Sequence, residues 1–346
     1  MALHSALARA VRRPSRMRGF ASMVKTTDPA ITAQLAMFPE LKESQDLIAS
    51  SQPARAVPPL RRMLQVCESF SPALATETAW LLGQVHASLG ETKDAIALFQ
   101  KDAVHGKEQC IRVALLAGDV ALARSLLSKP GAMSADNEAL YLPLIDWLGG
   151  HPISAAIAST EAYAKATEAL LVLATHATID KESRKLTLDE DIASQVIAAW
   201  TAVVDDAATD DALRAHVHAN LGELYLLHAK YEEAMEALSY ALKYQETQPA
   251  LSLHLARTLV LLATGYHRLG KAVSAEGLFT TALETYERSK LQTSIELAAA
   301  AKAHMAYGDL LSQWERREAV GAKHLAAGQA QLGATPYLWS FVYLPL

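Results

Sequence analysis

The 346 residues include only two cysteines, 13 prolines, 16 glycines and 22 aromatics. Cys67 and Cys110 cannot form a disulfide framework, and neither belongs to a CxxC motif or a Cys/His cluster. Each reads as a small buried hydrophobe. No proline lies between Pro152 and Pro249 or between Pro249 and Pro336, so long helices are permitted there. No run approaches the ~18 apolar residues of a membrane span. What is present is apolar: 51% of the chain is hydrophobic, too much for a disordered polymer. These features together predict an all-α fold.

Acid is missing from the first 27 residues, which carry Arg9, Arg12, Arg13, Arg16, Arg18 and Lys25 before the first acid, Asp28. On a helical wheel the first four arginines fall on one side, and Leu3, Leu7 and Val11 on the other. Pro14 bends or ends this basic amphipathic helix. The stretch Arg18-Gly19-Phe20-Ala21-Ser22 resembles a mitochondrial presequence cleavage site. Residues 1–20 are therefore expected to be a targeting segment cut near Phe20. The expected destination is the matrix or the matrix face of the inner membrane, because residues 23–37 supply no apolar sorting signal. Residues 1–20 hold five of the 32 basic residues and none of the 37 acidic ones, so the remainder carries −10. A body of that charge argues against gripping nucleic acid through its phosphates.

Three segments share one spacing: Gly83, His86, Gly90, Ala95, Phe99; Gly222, Tyr225, Ala229, Ala234, Leu238; and Ala263, Tyr266, Gly270, Ala275, Phe279. Each reads as a helix, a break at the third residue and a second helix, with small residues allowing close approach and large ones filling the space beside them. The pairs Leu82-Gly83, Leu221-Gly222 and Leu262-Ala263 complete a pattern that resembles the tetratricopeptide repeat. The 41-residue step from Gly222 to Ala263 exceeds the usual ~34 and implies longer helices, as in kinesin-light-chain-like variants. Weaker copies are read at Gly118, Ala123, Leu127 and at Gly150, Ala155, Ser159. Ala56, Leu60 and Met63 are expected to close an N-terminal hairpin, and residues 308–327 a C-terminal one. The expected architecture is an α-solenoid of such hairpins, with N-terminal repeats over 21–204, C-terminal repeats over 205–333 and an aromatic tail over 334–346. Charge-rich residues 180–191 read as an inter-helix loop, and Asp205 to Asp211 as a connector between the arrays whose aspartates cap the next helix.

Chemistry is hard to find in this chain. Gly265-Tyr266-His267-Arg268-Leu269-Gly270-Lys271-Ala272 approaches a phosphate-binding loop, but Ala272 replaces the magnesium-holding hydroxyl and Gly270 is the turn of a repeat. His216 and His218 are two apart and so face nearly opposite ways on a helix. Asp205, Asp206, Asp210 and Asp211 lack the glycine and glutamate of a calcium loop. No zinc-protease, hydrolase or dinucleotide motif occurs. The chain is read as non-catalytic, without metal or cofactor.

Stacked hairpins create extended surfaces for other proteins. In tetratricopeptide domains that clasp carboxylate tails, lysine, arginine and asparagine stand at fixed first-helix positions. The resemblance places Asn220 and Arg257 at two of these, and Leu261 where a basic residue would be expected. Residues 337–346 concentrate four aromatics, Tyr337, Trp339, Phe341 and Tyr343. They either fold back to cap the last hairpin or anchor in a partner. Trp314, Trp339, Phe341 and Tyr343 are the candidate aromatic anchors. The expected function is a scaffold or adaptor serving a large mitochondrial complex: a respiratory complex, ATP synthase or the mitoribosome. The rival reading is an organellar RNA-binding helical-repeat protein, recognisable by a basic stripe along one face.

Overall fold

The computed structural model describes residues 28–50, 52–133, 135–151, 161–179, 186–248, 252–289, 294–332 and 337–342. Residues 1–27, expected to include a targeting segment, and Ala155, Ser159 and Tyr343 lie outside them. The described chain is all-α, with sixteen helices that pack in adjacent pairs as a helical-repeat architecture. It divides into two compact units between Asn137 and Glu138.

The first unit holds α1 (Pro29–Leu35), α2 (Pro39–Ala49), α3 (Pro53–Phe70), α4 (Pro72–Ser88), α5 (Thr92–Phe99), α6 (Gly106–Leu116) and α7 (Val120–Ser128). The first four helices each begin on proline, whose missing N–H costs nothing in the first turn. Asp28, Ser71 and Asp119 cap α1, α4 and α7 through their side-chain oxygens. Ala56, Leu60 and Met63 are fully buried in α3, which packs on α2 and α4. In the α4–α5 hairpin a Cβ on Gly83 would stand 3.0 Å from the ring of Phe99. The small and large positions of the spacing therefore touch. Trp80 packs edge-on against the same ring at 5.2 Å. In the weaker copy at Gly118, Ala123 is buried as expected, but Leu126 rather than Leu127 turns inward.

The second unit holds α8 (Ala135–Leu148), α9 (Ala162–His176), α10 (Glu190–Asp205), α11 (Asp211–Leu227), α12 (Tyr231–Gln245), α13 (Ser252–Arg268), α14 (Ala272–Arg288), α15 (Ser294–Ser312) and α16 (Glu318–Leu332), ending in a 3-10 turn, Tyr337–Phe341. Between α9 and α10, β1 (Thr178–Ile179) pairs antiparallel with β2 (Leu186–Thr187). Of the charge-rich stretch 180–191 read as a loop, residues 180–185 lie outside the described residues, Leu186 and Thr187 form β2, and Glu190 and Asp191 already belong to α10.

The 205–211 connector lies inside this unit. Thr209 donates to the Val203 carbonyl at 2.7 Å, and Arg214 donates to the carbonyls of Val204 and Asp206 at 3.0 and 2.9 Å. Asp210 caps α11 by accepting from the amides of Ala212 and Leu213. The α11–α12 and α13–α14 hairpins turn through Ala229 and Gly270, both with positive φ. The 17 residues of α11 and 15 of α12, with the turns that follow them, account for the 41-residue step to α13. A Cβ on Gly222 would meet Leu238 at 2.5 Å. In the third copy Ala263 and Phe279 are both fully buried. In the last hairpin, α15–α16, backbone meets backbone: a Cβ on Gly308 would stand 2.8 Å from the Gly321 carbonyl oxygen.

Candidate functional site

Three helices build the site. On α11, His216, Asn220 and Glu223 follow at intervals of four and three, which places them on one face. α13 contributes Arg257 and α15 contributes Lys302, and α13 contacts both α11 and α15. All five residues are at most 9% exposed.

The C-terminal segment covers this face. His216 donates from Nε2 to the Phe341 carbonyl oxygen at 2.9 Å, and Asn220 donates to the same oxygen at 3.1 Å. Because a carbonyl can only accept, that histidine nitrogen carries the proton. Lys302 donates to the Ser340 hydroxyl at 2.7 Å. The Phe341 ring stacks on Trp200 of α10 at 6.3 Å and 15°. Arg257 and the Lys302 ammonium stand over the same ring, 5.3 and 4.7 Å from its centre. Trp200 is held in turn by donating to the Ala166 carbonyl at 3.0 Å. Leu338, Ser340, Phe341 and Val342 are all buried. Residues 337–342 of the tail fold back onto this face.

Electrostatics tighten the arrangement. Arg257 donates to Glu223 at 2.7 Å, and Lys302 donates to its other carboxylate oxygen. Burial alone would raise the Glu223 pKa, but Lys302 and Arg257 hold it below the usual carboxylate value. Burial pushes Lys302 down to about 8 against the pull of Glu223. Burial and the neighbouring Arg257 push His254 down to about 4 and hold His216 well below its ordinary value. Both imidazoles are therefore neutral at pH 7, and Arg257 and Lys302 share the Glu223 carboxylate. Asn220 Oδ1, Arg257 Nε and the Tyr286 hydroxyl are buried without a hydrogen-bond partner among the described residues.

The structure thus brings together Asn220, Arg257 and Phe341 of the residues singled out from the sequence. Trp339 stands in the same 3-10 turn, and Tyr343 lies outside the described residues. Trp314 is elsewhere, half-buried between α15 and α16 with Arg317 over its ring at 5.4 Å. Leu261, at the position where a basic residue was expected, is buried as an ordinary core side chain. Sequence reasoning passed over Glu223, Lys302, Trp200 and Ser340. The available signal was a lone lysine in the alanine run 298–303 and the one-faced spacing of His216, Asn220 and Glu223.

Two groupings have metal-ligand chemistry. His86, Glu91 and Asp94 at the α4–α5 turn have ligand atoms within 4.8 Å of one another, but His86 is already paired with Glu91. His304 and His324 face each other at 3.0 Å between their Nδ1 atoms. Burial lowers the pKa of both, so one neutral imidazole donates to the other. A hollow on α2, lined by Pro39, Lys42, Glu43, Asp46, Leu47 and Ser50, is open to solvent. Among the described residues no helix is long and apolar enough to cross a membrane. No family model matches the chain, and no curated protein matches its sequence.

Proposed function

We propose that the chain is a non-catalytic, tetratricopeptide-like adaptor of the mitochondrion, an accessory subunit or assembly factor of a large complex. The observation that carries this reading is the face formed by α11, α13 and α15, which holds a peptide segment by its main-chain carbonyl, one hydroxyl and one aromatic ring. A surface with that chemistry binds polypeptide. Arg257 and Lys302, the two cations on it, are buried and shared with Glu223. That favours protein over RNA, which would call for a basic stripe open to phosphates. The mitochondrial address rests on the acid-free, arginine-rich first 20 residues and the Arg18-Gly19-Phe20 stretch.

The test is import of the full precursor into isolated mitochondria, followed by purification of the tagged chain under gentle solubilisation with and without nuclease. The expected result is shortening near Phe20 and recovery of a nuclease-resistant set of proteins. Recovery of RNA, with partners lost on nuclease treatment, would replace the adaptor with the RNA-binding reading.

A further inference from the structure

His304 of α15 and His324 of α16 are 20 residues apart in the chain, yet their Nδ1 atoms approach to 3.0 Å. The backbone fixes that distance. One turn to one side of the pair, a Cβ on Gly328 would stand 2.7 Å from the Ala301 carbonyl oxygen, and one turn to the other, a Cβ on Gly308 would stand 2.8 Å from that of Gly321. Main chain meets main chain at both points, so the two helices hold the imidazoles in register from either end. Tyr307 backs the His324 ring edge-on at 4.9 Å between centres, and its own hydroxyl donates to Glu276 at 3.3 Å.

Two ring nitrogens thus converge on one point, where a single proton joins them. Burial lowers the pKa of both rings, which leaves them in the neutral form that ligates metals. Zinc held about 2.0–2.1 Å from each of two imidazoles at a tetrahedral angle sets their nitrogens about 3.3 Å apart, so the pair has to open by only about 0.3 Å. The bridging proton moves to Nε2 of its own ring, and both histidines stay neutral. Both are half-buried, so an ion can enter from solvent and complete its coordination with water. Glu287 of α14 favours positive charge at both rings, and Arg317, which opposes it at His324, is paired with Glu276.

We propose that His304 and His324 are the protein ligands, through Nδ1, of a divalent transition-metal ion such as zinc, which ties α15 to α16 in the last hairpin. Imidazole nitrogens suit zinc, nickel and copper and do not suit magnesium or calcium. The site uses none of the residues of the face built by α11, α13 and α15 and does not depend on the adaptor reading. His86, Glu91 and Asp94 are the competing group, and the experiment separates the two.

The untagged full-length chain is titrated with zinc chloride by calorimetry, beside its His304→Asn, His324→Asn and His86→Asn variants, each first checked for unchanged helical circular dichroism. Zinc is expected to bind the wild-type chain at a site weakened at least about tenfold when His304 or His324 is replaced and unchanged when His86 is replaced. Magnesium and calcium should not compete for it. Zinc should also raise the melting temperature of the wild-type chain and leave that of His304→Asn where it was. The unaltered chain supplies a readout that needs no variant: with its histidine nitrogens isotopically labelled, zinc should shift the Nδ1 resonances of two histidines and leave their Nε2 atoms protonated. Failure to bind at about 1 mM zinc, binding indifferent to both His304 and His324, loss only in His86→Asn, or coordination through Nε2 would each overturn the proposal.

Discussion

Asn220 donates its side-chain amide to the main-chain carbonyl of Phe341, 121 residues further along the chain, at 3.1 Å. One residue marked from the sequence as a partner-recognition position is thus engaged by the protein's own C-terminus. His216, one turn earlier on α11, shares the same oxygen, so the contact is made by a prepared pair of donors.

Replacing Phe341 by alanine removes a ring that is 1% exposed, its stack on Trp200 and two cation contacts. A buried Phe→Ala change ordinarily costs about 3–5 kcal/mol. Here the terminal segment can undock and let water cover the face, which caps the loss at the docking free energy, near the lower end of that range. Trp314→Ala, at a half-buried turn, should cost less than about 1 kcal/mol. Thermal melts of both variants check the difference.

Gly222→Ala should destabilise the α11–α12 hairpin, because its Cβ would fall 2.5 Å from Leu238. Overpacking of this kind costs about 1–3 kcal/mol. Adding Leu238→Ala opens space for the new methyl, so the double variant should be more stable than the sum of the two single changes requires. Urea titrations of all four proteins test this coupling, and strict additivity would mean that the two residues do not meet.

Glu223→Gln leaves Arg257 and Lys302 buried without their shared counter-charge. Breaking a buried ion pair from one side costs about 3–5 kcal/mol. Glu223→Gln combined with Lys302→Met should recover part of that loss by removing one stranded cation. Equilibrium unfolding of the single and double variants decides it.

Acid should weaken the second unit before it affects carboxylates. His216 and His254 are held neutral in the folded chain, His254 down to about 4, whereas unfolded histidine titrates near 6.5. Between those values the unfolded state binds more protons, so stability is fully present above about pH 6.5 and is lost progressively as pH falls toward 4. Burial and Arg257 oppose protonation of both imidazoles, and His254 adds to this at His216, while the Phe341 carbonyl favours it there. Melting temperatures from pH 7 to 4.5 should fall, and His254→Gln should flatten the curve.

The repeat register was legible because it is local. A small residue, a positive-φ turn residue and a large residue at fixed offsets are consequences of two helices meeting at close range, and Gly222 with Leu238 shows the fit that the spacing encodes. Ala229 shows the limit of the glycine signal, since a left-handed turn there is made by alanine. The site was only half legible. Asn220 and Arg257 came from a resemblance and Phe341 from aromatic density, but their meeting depends on long-range contacts, 121 residues apart for Asn220 and Phe341, that no periodicity reports. Glu223 and Lys302 escaped because a single charge in an apolar helix gains meaning only when its counter-charge, 79 residues away, is in place.

The most direct test of the account is quantitative affinity purification from nuclease-treated mitochondria, comparing the full-length chain with its Asn220→Ala and Lys302→Met variants, both confirmed as folded. The account predicts a defined set of proteins on the wild-type chain, reduced about tenfold or more on each variant. Equal recovery on all three chains would contradict the claim that the face built by α11, α13 and α15 is where this protein binds its partners.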